Sequence, residues 1–198
     1  MRVISGKAKG HRLKRVPGDS TRPITDRVKE NLFNILGDWV VGTRWLELFA
    51  GTGQVGIEAL SRGASQVVFV ERAEAAVRTI GANLSITHLA EAAAVQRADA
   101  FKYLEHFAGR PFDVIYVAPP QYQGLGLKTL ALLDAEPGRF LEENGMIVVQ
   151  IDPKEFEARD WNRLGLFDRR KYGRTLLCFY EAGEPSSSAM AHSASGSP

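Results

Sequence analysis

Trp45-Leu-Glu-Leu-Phe-Ala-Gly-Thr-Gly-Gln-Val-Gly56 is an apolar, strand-like run that breaks into a glycine turn, and an acid, Glu71, follows it. Gly51, Gly53 and Gly56 match G-x-G-x-x-G after a strand and before a helix, with the acid about twenty residues beyond the first glycine. The glycines let backbone approach a ligand, and an acid after the second strand accepts hydrogen bonds from ribose hydroxyls. By letters alone this is a dinucleotide fingerprint. The same logic serves any adenosine-containing cofactor laid across the first two strands of an open α/β sheet.

The sequence around this stretch supports such a sheet. Short apolar runs at 46–49, 67–70, 93–95, 112–117 and 146–151 read as strands, and helical patterns at 54–62, 73–85, 100–107 and 126–142 lie between them. Parallel neighbours need crossovers, which are usually helices, so the alternation predicts a mostly parallel, Rossmann-like sheet with helices on both faces. The pattern changes at 164–172 and 175–180. These two strands are joined by Gly173-Arg174 with no room for a helix, so they must be antiparallel. Upstream, residues 3–16 alternate loosely and suggest a hairpin with its basic side chains outward. Thr25-Asp26 then caps an amphipathic helix carrying Val28, Leu32, Phe33, Ile35 and Leu36 and ending at Gly37. The expected organisation is a basic extension over 1–40, a core domain over 41–183 and a disordered Ser/Ala/Gly/Pro tail over 184–198.

Composition sets limits on function. At 198 residues, 44% hydrophobic and 24% charged, the chain is long enough for one full core. A single cysteine, Cys178, excludes an internal disulfide and any multi-cysteine zinc site; it sits between Leu177 and Phe179, a core position. The histidines at 11, 88, 106 and 192 show no ligand spacing, so no metal is expected. No run approaches the roughly 20 apolar residues of a membrane span. The first residues lack an apolar signal region, so a cytoplasmic location is expected, and a monomer. The net charge of +2 conceals an asymmetry: residues 1–30 hold nine Lys/Arg against three Asp/Glu, which leaves the rest at −4. A locally positive segment on a near-neutral protein has the form of a polyanion-binding arm, and equally of a solvated face.

Glu47 discriminates between cofactors. It lies near the carboxyl end of the first strand, where a dinucleotide site must hold a doubly negative pyrophosphate. A carboxylate there repels the pyrophosphate by roughly 1–4 kcal/mol at contact distance. S-adenosylmethionine reverses the sign, because it has no phosphate and carries an ammonium and a sulfonium. Asp99-Ala100, after the third strand, is where the adenine is expected; Asp99 suits the adenine amine and equally suits a cap on the following helix. On the other side, the fourth strand runs into Ala118-Pro119-Pro120-Gln121-Tyr122. Two prolines cannot continue a ladder, and the carbonyls they leave free can accept from a substrate amine. Tyr122 offers a stacking face.

At these residues the chain resembles a known family, the bacterial methyltransferases that modify the exocyclic N2 amine of a guanine in 16S, small-subunit ribosomal RNA. The resemblance lies in Arg2-Val-Ile-Ser-Gly-Lys-Ala-Lys-Gly-His-Arg-Leu13, in Thr21-Arg-Pro-Ile-Thr-Asp-Arg-Val-Lys-Glu-Asn-Leu-Phe-Asn-Ile-Leu36, in Leu46 to Gly53 with Gly56-Ile-Glu-Ala-Leu-Ser-Arg-Gly-Ala64, and in Lys171-Tyr-Gly-Arg-Thr175. It implies a class I methyltransferase fold with seven strands, S-adenosylmethionine as donor and an RNA-holding N-terminal segment. Carried over, Glu47, Phe49, Gly51, Thr52 and Gly53 line the methionine end, Glu71 and Arg72 the ribose, and Asp99 and Ala100 the adenine. Ala118 to Tyr122 border the target base. Arg2, Lys7, Lys9, Arg12, Lys14, Arg15 and Arg27 face RNA, and Arg22 and Thr25 approach the RNA or the cofactor. The implied partner is small-subunit rRNA or the assembling subunit.

The chain departs from the family at one place. The usual amine-methyltransferase motif is Asp or Asn, Pro, Pro, then Tyr or Phe; here Ala118 holds the polar position, Gln121 the aromatic one, and Tyr122 is displaced by one. A guanine amine is a weak nucleophile, and a side-chain acceptor orients it and takes up developing charge. Gln121 is the expected replacement acceptor, with Tyr122 as the stack. The competing readings are a catalytically impaired RNA-binding module, a methyltransferase for another RNA, DNA or protein amine, and an NAD-dependent oxidoreductase.

Overall fold

β1 (Arg44–Leu48) is buried along nearly its whole length, and the other strands are arranged around it. The structure, a computed structural model, describes residues 1–17 and 24–183. Beside β1 lie β2 (Gln66–Glu71), β3 (Ala93–Arg97), β4 (Phe112–Val117), β5 (Leu141–Ile151), β6 (Leu164–Tyr172) and β7 (Thr175–Ala182), in the order β3-β2-β1-β4-β5-β7-β6. The first five strands pair in parallel, and β7 runs antiparallel to both β5 and β6. The order reverses between β1 and β4. In open α/β sheets this switch point, at the carboxyl ends of the strands, is where ligands bind.

Successive strand residues enter opposite layers, which is why the central strands read as continuous apolar runs. Trp45, Val67, Phe69, Tyr116 and Phe179 pack on α1 (Asp26–Leu36), α2 (Gln54–Ser61) and α3 (Glu74–Thr87). Leu46, Val70, Ile115, Ile147 and Cys178 face α4 (Ala100–Glu105) and α5 (Leu125–Ala135). The pattern predicted one helix over 126–142. Instead α5 stops at Ala135, Glu136 leaves the helical region (φ −146°, ψ 70°), and a short α6 (Pro137–Phe140) precedes a β5 that already starts at Leu141. Pro137 has no N–H to offer and bars helical geometry in the residue before it.

Thr25 caps α1 by accepting from Val28 N at 3.3 Å, and Gly37 ends the helix at φ +55°. Ile35 is exposed rather than inward, and Lys29 takes a fully buried place on the apolar face. Its Nζ lies 3.1 Å from Glu58 of α2, with both side chains wholly buried, and donates to the Arg2 carbonyl at 2.6 Å. Glu58 also accepts from the backbone of Ile4 (2.8 Å) and Ser5 (2.9 Å) and from Arg62. This carboxylate fastens the N-terminal segment to α2. That segment is a loop closed by one antiparallel bridge, Arg2 to Arg12, rather than a two-stranded hairpin. Val3, Ala8 and Leu13 are buried in the first core layer, while Lys7, Lys9, Arg12, Lys14 and Arg15 are exposed. Arg22 and the 184–198 tail lie outside the described residues.

Candidate active site

The carboxyl ends of β1, β2 and β4, with the turn after β3, open on one cleft of about 900 Å³. Its size falls within the roughly 300–1,000 Å³ range of small-molecule sites. The glycine turn forms one wall. Phe49 (φ +58°), Gly51 (φ +55°) and Gly53 (φ +70°) are all left-handed, which folds the chain tightly from β1 into α2. Gly56 serves packing: a Cβ there would sit 2.5 Å from Phe69 Cε1 and 2.6 Å from Glu47 Oε2. Gly53 packs toward Phe69 and Ile80, and unlike Gly51 and Thr52 it does not border the cleft.

Glu47 borders the cleft but is only 3% exposed, and its Oε2 accepts from Gly56 N at 2.8 Å. Burial pushes its carboxyl up to about 8, outweighing the downward pull of the Gly56 and Val55 N–H groups and of the more distant Lys29. Gln54, the first residue of α2, lines the same cleft at 5% exposure, and its Oε1 has no hydrogen-bond partner. Gln54 Oε1 lacks a donor, and the buried Glu47 lacks a positive partner close enough to hold it ionised. An incoming ammonium supplies both, whereas a pyrophosphate brings only acceptors and more negative charge. The residues present therefore fit S-adenosylmethionine better than a dinucleotide.

Glu71 ties the turn to the end of β2. Its Oε2 accepts from Gly51 N (2.9 Å) and its Oε1 from Ala73 N (2.8 Å), and each oxygen keeps a lone pair for a hydroxyl. Asp99 caps α4 through Oδ1, accepting from Phe101 N (3.0 Å) and Lys102 N (3.2 Å), so the capping role is realised; the residue still borders the cleft beside Ala100. Phe49 meets Phe101 edge-on and borders the cleft, as does the exposed Arg72.

The facing wall holds Ala118, Pro119, Pro120 and Gln121. Tyr122 does not belong to it. Its left-handed backbone (φ +60°) lets its N–H donate to Glu155 Oε1 (2.6 Å) and its hydroxyl to Asp152 Oδ2 (2.8 Å). Tyr122 instead lines a separate apolar cavity of about 130 Å³, with Leu127, Leu130 and Phe156, and is not among the residues that border the cleft. Residues that sequence reasoning missed complete the cleft: Gln54, Tyr116, Gln150 and Arg174. Their signal was available, since Tyr116 and Gln150 are polar interruptions in otherwise apolar strand runs.

Val16, Pro17 and Ile24 border the cleft, and the exposed Lys14 and Arg15 immediately precede Val16 in the chain. Arg2 is exposed and pairs with Asp26 at 3.3 Å. Arg27 is exposed, and Thr25 is used as a helix cap. Among the described residues no group of His, Cys, Asp and Glu could hold a metal, and no helix is long and apolar enough to cross a membrane.

A sheet of this order with a reversed β7, a glycine turn after β1 and an acid closing β2 defines a Rossmann-like class I methyltransferase. Known proteins agree. A Salinibacter ruber RNA methyltransferase, solved in complex with S-adenosyl-L-homocysteine, shares the fold at a TM-score of 0.60 and 15% identity, covering 80% of this chain and 92% of that one. The solved yhhF protein of Escherichia coli reaches a TM-score of 0.80 at 31% identity, covering 92% and 97%. In sequence, the Bacillus subtilis "Putative rRNA methyltransferase YlbH" is 43% identical over 183 residues, 91% of this chain and 98% of its own length. The ribosomal RNA small subunit methyltransferase D of Escherichia coli K12 is 35% identical over 150 residues, 76% of this chain and 74% of its own. Residues 1–181 match the family model described as conserved hypothetical protein 95, and the chain belongs to that family.

Proposed function

We propose that the protein is an S-adenosylmethionine-dependent methyltransferase that modifies the N2 amine of a guanine in 16S ribosomal RNA, free or in the assembling small subunit. The observation that carries this reading is the cleft itself. A buried acid and an unpartnered acceptor on one wall face the double-proline segment on the other, in a chain of this family. Glu47 and Gln54 would hold the methionine ammonium, Glu71 the ribose hydroxyls, and Asp99 and Ala100 the adenine edge. When bound, the cofactor would supply an electrophilic sulfonium methyl for transfer to the substrate amine, and the proton given up by the amine would go to water.

The protein's own residues orient and shield. Pro119 and Pro120 have no N–H, so this stretch of the cleft wall adds backbone acceptors for an incoming amine without competing donors. The target base must leave its stack to reach this depth. The exposed basic side chains of residues 7–15 precede Val16 and Pro17, which border the cleft, and can hold the flanking phosphates. Tritium transfer from labelled cofactor into 16S rRNA or small-subunit particles is the test, with mass spectrometry locating N2-methylguanine; absence of transfer to any RNA refutes the reading.

Ala118 favours a second reading, in which RNA is bound without turnover. It predicts cofactor-independent RNA binding, no label transfer, and activity created by Ala118→Asp.

A further inference from the structure

Ala118 leaves the end of β4 without a side-chain acceptor, and β5 places one beside it. The two strands pair in parallel with Tyr116 beside Val148 and Val117 beside Val149. Carried one residue on, the register sets Gln150 next to Ala118, about 4.8 Å away across the sheet. Side chains alternate along each strand, so Tyr116, Ala118 and Gln150 share one face, and all three border the cleft. The Tyr116 hydroxyl donates to Gln150 Oε1 at 2.5 Å.

That bond fixes the amide. Tyr116 is 1% exposed in the first core layer, so its hydroxyl has a set position. Burial, with the Glu47 carboxyl near, holds its pKa well above the ordinary value, and the hydroxyl stays a donor. An amide oxygen has two lone pairs; Tyr116 occupies one and the other remains for a ligand. Gln121 lacks this restraint, since it is exposed on the loop after Pro120. Pre-set dipoles stabilise developing charge better than mobile ones.

We propose that Gln150 is the catalytic acceptor for the substrate amine, with Tyr116 as the residue that positions it. The assignment rests on the methyl-transfer reading above. The amine's N–H donates to Gln150 Oε1; as the N–C bond forms and the S–C bond breaks, the nitrogen gains positive charge and this hydrogen bond strengthens. The neutral amide takes no proton, which leaves to water.

Steady-state kinetics on RNA, with calorimetric titration of S-adenosylhomocysteine, tests this. Gln150→Leu should lower kcat about 100-fold, in the range for losing one pre-set hydrogen-bonding partner, with KM for RNA and affinity for S-adenosylhomocysteine unchanged. Tyr116→Phe should lower kcat in the native background and do nothing further in Gln150→Leu. Ala118→Asp, which returns an acceptor to β4, should restore activity to Gln150→Leu. Equal activity of Gln150→Leu and wild type overturns the assignment, as does loss of S-adenosylhomocysteine binding in Gln150→Leu or failure of Ala118→Asp to rescue it. A wild-type protein that methylates no RNA overturns the methyl-transfer reading and the assignment together.

Discussion

Glu47 keeps a proton in the folded protein over a pH range in which the unfolded chain has lost it. Its pKa rises on folding from the ordinary 4.5 to about 8, so folding takes up a proton between these values. The folded state then binds more protons than the unfolded one, and stability falls as pH rises, by up to about 1.4 kcal/mol per pH unit from this group. Urea denaturation from pH 5 to 8 should show that slope, and Glu47→Gln should remove it. An ammonium ligand needs the ionised form, so binding S-adenosylhomocysteine near pH 7 should release a proton. Titrations in buffers of different ionisation enthalpy measure this, and Glu47→Gln should abolish the release and weaken binding. Single residues were unequally legible in the sequence. The glycines and Glu71 act through local backbone geometry, which residue type and spacing encode. Tyr122 is turned by partners some thirty positions away in Asp152 and Glu155, and nothing in its neighbourhood of the sequence announces them.

At the scale of elements, α2 is the fastening point. Glu58 and Ser61 on this helix hold Ile4, Ser5 and Ala8, and a Cβ on Gly6 would lie 1.8 Å from the Ser61 carbonyl oxygen. Gly6→Ala should therefore displace the N-terminal loop, seen as faster hydrogen exchange over residues 1–14. Glu58→Ala strands Lys29 as a buried charge and should cost about 3–5 kcal/mol by chemical denaturation. The paired change Lys29→Met with Glu58→Leu should recover much of that loss, although the freed backbone N–H groups of Ile4 and Ser5 keep some of it. The buried pair left a trace in the sequence, because Lys29 and Glu58 each sit among apolar residues of their helices. The split of the 126–142 pattern also left one in Pro137. Both needed the cost of burial or the missing donor to be set against periodicity, which counts apolar positions and is blind to either.

The whole molecule divides its charge from its chemistry. Positive side chains gather on the N-terminal loop, whereas the cleft carries Glu47, Glu71, Asp99 and several amides on an apolar lining, with only Arg72 and Arg174 as cations among the described residues that border it. Neutralising Lys7, Lys9, Arg12, Lys14 and Arg15 together should weaken RNA binding and flatten log K against log salt by about 0.7 per lost phosphate contact on single-stranded RNA. Affinity for S-adenosylhomocysteine should stay the same; filter binding across a salt series and calorimetry separate the two. The sheet was readable because parallel strands buried on both faces leave unbroken apolar runs, and the final antiparallel pair because its connection is two residues long. The convergence of β5 on the site was not, since Gln150 reaches Ala118 only through strand order.

The fastening on α2 has a thermodynamic consequence. The helix starts in the turn proposed to hold the cofactor and ends on the residues that grip the loop proposed to face RNA, so one rod would touch both ligands. A ligand that settles the rod at one end lowers the ordering cost at the other, and linkage requires the gain to be mutual. RNA should tighten S-adenosylhomocysteine by the same factor by which S-adenosylhomocysteine tightens RNA, and cutting the Glu58 tether should bring that factor toward one.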